Sequence, residues 1–209
     1  MAVSSTSGVG SDTWTTHRVD RNRQPVETDL LPVPTGPAGP GPYGGLVPRT
    51  PARIKSTLSP RTLRRAMNLW PPFLFAGIRV LHISEDWSRV RVRLHLRRWT
   101  SNYVGTQYGG SIFSMTDPFW MIMLLNRLGP GYSVWDKAAA IEFVAPGRTH
   151  LSADFDLDDE RIDAIRHAAG DGRPILEWFE TRVVDDEGGL VARVRKQVYV
   201  RRKPDPPGR

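Results

Sequence analysis

One segment of the chain constrains the fold more than any other, because residues 110–127 are apolar on almost every side of a helix. A helix at a protein surface carries a single apolar stripe, whereas a helix that is apolar all round is buried by its neighbours. The run Gly129-Pro130-Gly131 would end such a helix. The sequence therefore predicts a central helix that other elements must cover. Its large apolar residues are Ile112, Phe113, Met115, Phe119, Trp120, Ile122, Met123 and Leu125.

Strand candidates flank this helix on both sides. Between Val90 and Arg97, apolar and basic residues alternate strictly, which is typical of a half-buried strand. Turn-forming residues at 186–189 predict a hairpin between the last two candidates. Two strands, one helix and four strands cannot form an alternating parallel sheet, so the sequence predicts an α+β fold with an antiparallel sheet wrapped around a central helix. The other candidates are residues 78–83, 135–143, 149–157, 178–185 and 190–200.

Two shorter helices are also expected. Ser59 and Pro60 offer a cap followed by proline at the first helical position, and this helix would end at Pro71. Its arginines could face a membrane or nucleic acid, but we expect its apolar side to dock on its own domain. Residues 158–169 open with acidic side chains, which suit the amino terminus of a solvent-facing helix.

The length of 209 residues fits one domain with tails. Residues 1–55 are rich in Ser, Gly and Pro without a strand or helix period, so we expect a disordered tail there. Residues 56–203 would form the domain, and residues 204–209 a flexible tail. Because one sheet covers a helix on one side only, a second copy would most simply cover the rest, and we expect a homodimer or a tetramer.

The chain is basic, with a formal net charge of +7 and a pI near 10.2. This balance favours anionic partners such as nucleic acid, anionic lipid or a phosphate-bearing cofactor. Cysteine is absent and the five histidines show no metal-binding spacing, so we expect no metal. The longest apolar run, Phe119–Leu125, is far shorter than a membrane-spanning helix, and no secretory signal pattern is found. The sequence predicts a cytoplasmic protein.

The segment from Asn102 to Asp117 resembles the active segment of hotdog thioesterases similar to those of the phenylacetate pathway. That pattern has an asparagine, five residues, His-Gly-Gly, six residues and an acid. Asn102, Gly109, Gly110 and Asp117 occupy these places, and Tyr108 stands where histidine is usual.

A wider stretch is similar to a hotdog branch known only as a domain of unknown function. It runs from Asn68-Leu69-Trp70 through Trp135-Asp136-Lys137 to the closing residues 195–200. The resemblance implies a hotdog fold, dimers or tetramers, and an acyl thioester carried on coenzyme A or a carrier protein. It implies no cofactor beyond the coenzyme A of the substrate, and no metal.

The residues of this segment suggest a chemistry of their own. The first N–H groups of a helix opened by Gly109 and Gly110 would lack intrahelical acceptors and carry the positive end of the helix dipole. The Gly110 N–H would then stabilise a thioester oxygen as it gains negative charge. Asp117 could activate water as a general base or attack directly, and the resemblance implies that this acid comes from the neighbouring subunit.

Other residues would assist. Asn102 would orient water or the carboxylate, and Tyr108 could donate its hydroxyl. Gly109 and Ser111 would contact the substrate, and Lys137 could bind a phosphate of the coenzyme.

Several of these residues could instead have a purely structural role. Thr116-Asp117-Pro118 also has the pattern of a helix cap, so the central helix either kinks at Pro118 or begins twice, and the apolar residues on both sides favour a kink. Asn102 could be a turn residue and Tyr108 a packing residue. For Lys137 we favour an ion pair with Asp136 over a phosphate contact.

Three functions follow in order. The first is an acyl-CoA thioesterase, which cleaves an acyl thioester to free acid and coenzyme A. The second is a non-catalytic protein that binds acyl thioesters or fatty acids, suggested by Tyr108 in the place of histidine. The third is nucleic-acid binding, which the basic charge alone supports and no recognition motif accompanies.

Overall fold

The structure is a computed structural model that describes residues 58–204. The tail predicted for residues 1–55 lies outside the described residues, as does all of the other predicted tail except Pro204. No helix in this part of the chain has the length and hydrophobicity needed to cross a membrane. The helices are α1 (Pro60–Leu69), α2 (Pro71–Ala76), α3 (Gly109–Ser114), α4 (Phe119–Leu128) and α5 (Asp159–Ala168). The strands are β1 (Ile78–Ile83), β2 (Arg89–Leu94), β3 (Tyr132–Phe143), β4 (Leu151–Asp156), β5 (Ile175–Asp185) and β6 (Leu190–Arg202).

The strands form one antiparallel sheet of six in the order β1-β2-β4-β5-β6-β3. All six predicted strands are confirmed, and β5 and β6 form the predicted hairpin. The two shorter helices are also confirmed: Ser59 caps α1, and Asp158 caps α5 by accepting a hydrogen bond from the Arg161 N–H at 2.7 Å. The short helix α2 was not predicted.

Aromatic side chains hold α4 against one face of the sheet. Phe155 of β4 contacts Phe119 and Trp120 of α4, with ring centroids 5.1 and 5.4 Å apart. Trp120 also stacks on Phe179 of β5 at 4.6 Å, and its indole N–H donates to the Thr181 hydroxyl at 2.9 Å. Burial of these large side chains makes α4 the centre of the core, as the sequence predicted.

The central helix is broken, and the prediction that it kinks at Pro118 is wrong. Helix α3 ends at Ser114, α4 begins at Phe119, and residues 115–118 form a turn between them. Proline lacks an N–H and its ring clashes with the preceding turn, so a helix is most easily interrupted there. Pro118 itself occupies the cap position of α4, which has no side-chain cap, so the prediction that Asp117 caps this helix is also wrong.

The two edges of the sheet differ. Helix α1 covers the β1 edge: the Asn68 side chain accepts from the Val80 N–H at 2.7 Å and donates to the Val80 carbonyl at 3.0 Å, and Arg64 donates to the Leu81 carbonyl. At the opposite edge, the 12 residues of β3 pair only with β6 among the described residues. Unpaired backbone groups along an edge strand are a template for another strand.

Candidate active site

The turn between α3 and α4 presents the Asp117 carboxylate at the surface. Its side chain is 61% exposed, and its Oδ1 accepts a hydrogen bond from the Lys196 Nζ at 2.6 Å. The same Nζ donates to the Asp117 main-chain carbonyl. The carboxylate is therefore accessible to a ligand on one side and fixed from the other. The spacing of the segment predicted Asp117 as a site residue, whereas the group that holds it was not predicted.

Lys196 is the buried member of this cluster, with a side chain only 2% exposed. Its Nζ also donates to Asp136 Oδ2 at 3.1 Å. An ammonium group has three N–H donors. The Asp117 main-chain carbonyl, the Asp117 Oδ1 and the Asp136 Oδ2 accept from all three. Lys196 thus has no donor left for a ligand, and any effect of Lys196 on a ligand would be transmitted through Asp117 or Asp136.

The sequence contains a signal for Lys196, although the residue was not among the predicted site residues. Alternate residues of a strand face the same side, and Val194 and Val198, two residues away on either side, are buried in the core. The exposed Arg195 has the opposite parity. A lysine at a core-facing position needs a counter-charge, because burying an unpaired ammonium is costly.

Asp136 supplies part of that counter-charge from β3. Burial raises the pKa of the Asp136 carboxyl above its ordinary value of 3.8, the neighbouring Lys196 lowers it, and the charge of Asp117 adds a smaller upward shift. The Oδ1 of Asp136 is buried and has no hydrogen-bond partner among the described residues. The ion pair predicted between Asp136 and Lys137 is wrong: Asp136 pairs with Lys196, while Lys137 is exposed at a bulge where β3 shifts its register on β6.

This raised pKa predicts a pH-dependent stability. The folded state holds the Asp136 proton more tightly than the unfolded state, so the contribution of Asp136 to stability falls as the pH rises from about 3.8 through the folded pKa. The Asp136→Asn variant lacks this effect. We therefore expect the free energy of unfolding of the variant, relative to the wild type, to increase with pH across that window. Urea unfolding at a series of pH values measures it, and a difference that does not change with pH would contradict the assignment.

Two glycines open α3 beneath aromatic rings. A Cβ on Gly110 would lie 2.5 Å from the Tyr108 ring, and one on Gly109 would lie 3.0 Å from Phe143 Cζ. Only glycine therefore lets these rings lie so close to the backbone. Tyr108 precedes α3 in an extended conformation and gives it no side-chain cap, so the first N–H groups of the helix have no acceptor from that side chain.

Neither Asn102 nor Ser111 forms a side-chain hydrogen bond with the Asp117 carboxylate. The Asn102 side chain is committed to its own loop: its Oδ1 accepts from the Val104 and Thr106 N–H groups at 3.1 and 3.0 Å, and its Nδ2 donates to the Thr106 hydroxyl. This geometry favours the alternative that Asn102 is a turn residue. Ser111 is buried within α3. No three His, Asp or Glu side chains among residues 58–204 are grouped to hold a metal ion.

A family model described as "Domain of unknown function (DUF4442)" matches residues 60–200, which is most of the described chain. The chain belongs to the DUF4442 family. This confirms the sequence-based resemblance to a hotdog branch of unknown function. No curated protein matches this DUF4442 chain.

Solved structures similar to this DUF4442 protein include three bacterial proteins. A Pseudomonas aeruginosa protein of unknown function, also called "Probable Thioesterase", is 20% identical with a TM-score of 0.62, over 69% of this chain and 97% of that one. A Haemophilus influenzae thioesterase is 13% identical with a TM-score of 0.52, over 71% and 94%. A Chlorobaculum tepidum protein of unknown function is 12% identical with a TM-score of 0.56, over 71% and 99%. These likenesses and the antiparallel sheet around a central helix confirm the predicted hotdog fold.

Proposed function

We propose that this DUF4442 protein is an acyl-CoA thioesterase in which Asp117 activates the attacking water. One observation carries the proposal: the Asp117 carboxylate is exposed, yet a buried ammonium group fixes it. Because the carboxylate is exposed and held in one orientation, a water molecule and a ligand can reach it at the surface. The pKa of the neighbouring Asp136 carboxyl is raised by burial, and a shifted carboxyl in an accessible cluster is a candidate functional group. The thioesterase names of two solved structures with this fold support the same reaction class.

The proposed reaction is hydrolysis by general-base catalysis. Asp117 accepts a proton from water as the water oxygen attacks the thioester carbon. Negative charge develops on the former carbonyl oxygen, which the Gly110 N–H stabilises more strongly in the transition state than in the ground state. The C–S bond then breaks, the carbonyl reforms in the free acid, and coenzyme A leaves as a thiol with the proton that Asp117 accepted. Gly109 and Ser111 would line the acyl end, and Lys137 remains a candidate for a coenzyme phosphate.

We propose that the working unit is a dimer formed through β3. Within residues 58–204 the 12-residue β3 has an unpaired edge, and Phe143 and Val144 at its end are exposed. Antiparallel pairing of two β3 strands would join the sheets and bring two copies of the surrounding surface together. Asp117 of one subunit would then act on a thioester held at Gly110 of the other. A molecular mass measured in solution tests this, and a monomer at micromolar concentration would contradict it.

The activity is tested with purified full-length protein and a panel of acyl-CoA thioesters of short, medium and long chains. Release of the thiol is followed with a chromogenic disulfide. We expect saturable hydrolysis of at least one member at a rate well above the uncatalysed reaction. Absence of turnover across the panel and with acyl-carrier thioesters would reject the thioesterase.

One observation favours the alternative of a non-catalytic binding protein. The Tyr108 ring lies directly against Gly110, where the thioester carbonyl would bind. In that case calorimetry would detect binding of acyl-CoA without turnover, and the Asp117→Asn variant would bind acyl-CoA as well as the wild type does.

A further inference from the structure

Four apolar side chains on α1, on α2 and at the junction between them project into solvent, and we call them the α1–α2 patch. They are Leu69, Trp70, Leu74 and Phe75, which are 72%, 49%, 49% and 74% exposed. The same two helices bury Met67 and Phe73 against the domain, so their docking on the protein is already complete. Exposed apolar clusters of this kind on a folded domain mark sites of interaction.

The patch has a basic border. Residues 58–84 contain no Asp or Glu but include Arg61, Arg64, Arg65 and Arg79. Arg61 pairs with Glu85 at 2.9 Å, so its charge is partly compensated. Arg65 is exposed one helical turn before Leu69, and it forms no ion pair among the described residues. The loop that carries the exposed Arg98 and Trp99 runs beside the end of α2, where the carbonyl of His95 lies 3.0 Å from a Cβ built on Gly77.

The patch lies at the end of the sheet that α1 covers, opposite β3. Dimerisation through β3 would therefore leave it exposed. A second copy placed against it would bring the same arginines together, which opposes self-association. The protruding leucine and phenylalanine side chains suit hydrocarbon rather than the phosphates of a nucleic acid.

We propose that the α1–α2 patch binds the surface of a membrane that contains anionic lipids. The apolar side chains would insert at the boundary between headgroups and acyl chains, where tryptophan is favoured because its ring is apolar and its N–H is polar. The bordering arginines would bind the lipid phosphates. This proposal is independent of catalysis at Asp117.

The test is co-sedimentation of the full-length protein with two kinds of vesicles, phosphatidylcholine alone and phosphatidylcholine with phosphatidylglycerol. We expect at least about tenfold stronger binding to the anionic vesicles, and weaker binding as salt is raised. Binding to neither vesicle, or equally to both, would overturn the proposal.

A matched pair of double variants locates the binding surface. Trp70→Ser with Leu74→Ser removes part of the patch, and Trp178→Ser with Leu176→Ser removes side chains of similar exposure, 38% and 48%, from β5. We expect the first double variant to bind anionic vesicles at least about tenfold more weakly than the wild type, and the second double variant to bind them as the wild type does. Equal effects of the two pairs would overturn the assignment.

Other occupants of the patch give different results. If a second copy of the chain occupied the patch, the assembly formed by the first double variant would have a lower molecular mass than the wild-type assembly. Residues 1–57 as the occupant would make vesicle binding appear only when that segment is removed. If a nucleic acid occupied the patch, the wild-type protein would retard it in a gel and the first double variant would not, and the wild-type protein would not bind vesicles. Each of these outcomes would overturn the membrane proposal.

Discussion

The Asp117→Asn variant is expected to lower kcat for acyl-CoA hydrolysis by about 100- to 10,000-fold and to leave KM nearly unchanged. Asparagine has almost the same shape and can still accept a hydrogen bond from Lys196, but it cannot take a proton from water. Lys196 would keep Asp136 as its counter-charge, so the fold should be retained. Steady-state kinetics measure the two constants, and circular dichroism checks the fold.

A like change at a remote acid provides the control. Asp163→Asn alters an exposed carboxylate on α5 and should leave kcat unchanged. If the Asp117→Asn variant had the same kcat as the wild type, a group other than Asp117 would accept the proton from water.

Two substitutions of Lys196 distinguish a role in positioning Asp117 from a role in folding. Lys196→Met should lower kcat with little change in KM, and Lys196→Arg should restore part of the lost kcat because its guanidinium can still donate to Asp117. If both variants lose activity only in proportion to their loss of folded protein, Lys196 is structural.

The Phe155→Ala variant is expected to lower the free energy of unfolding by about 3–5 kcal/mol. Phe155 is fully buried and contacts the two aromatic side chains that hold α4 to the sheet. Its removal leaves a cavity at the centre of the core. The loss is large against the total stability of about 5–15 kcal/mol that domains have, and urea unfolding measures it.

Phe75→Ala is the matched control, because it removes the same atoms from a ring that is largely in water. Its effect should lie within about 0.5 kcal/mol. If the two variants unfold at the same urea concentration, Phe155 does not anchor the core as the structure indicates.

Much of the fold was predictable because its patterns are local. The alternation from Val90 to Arg97 repeats every two residues, and only a strand places such residues on two faces. The Ser59-Pro60 pair identified the start of α1 for the same local reason. The break at Pro118 was harder to predict, because apolar residues on both sides match the pattern of one continuous helix, while the interruption is a property of the proline ring.

The site was predictable only in part, because its cluster joins distant residues. Asp117, Asp136 and Lys196 come from a turn and two strands, and no short motif contains them all. The family spacing predicted Asp117 as a site residue, but the partner of Asp136 depends on the pairing of β3 with β6. Lys137 is adjacent to Asp136 in sequence and was the natural choice, yet neighbouring strand residues point to different sides.

Helix α1 has a consequence for assembly because, in the part of the chain that the structure describes, it leaves the sheet with one unpaired edge. Two chains that pair through β3 form a closed unit, since their outer edges are both covered by α1. A chain shortened to begin after Trp70 would expose β1 as a second edge. Pairing could then continue at both ends, and the product would be an open filament whose length is set by protein concentration. If the chains pair through β3 as proposed, helix α1 would stop the assembly at two copies.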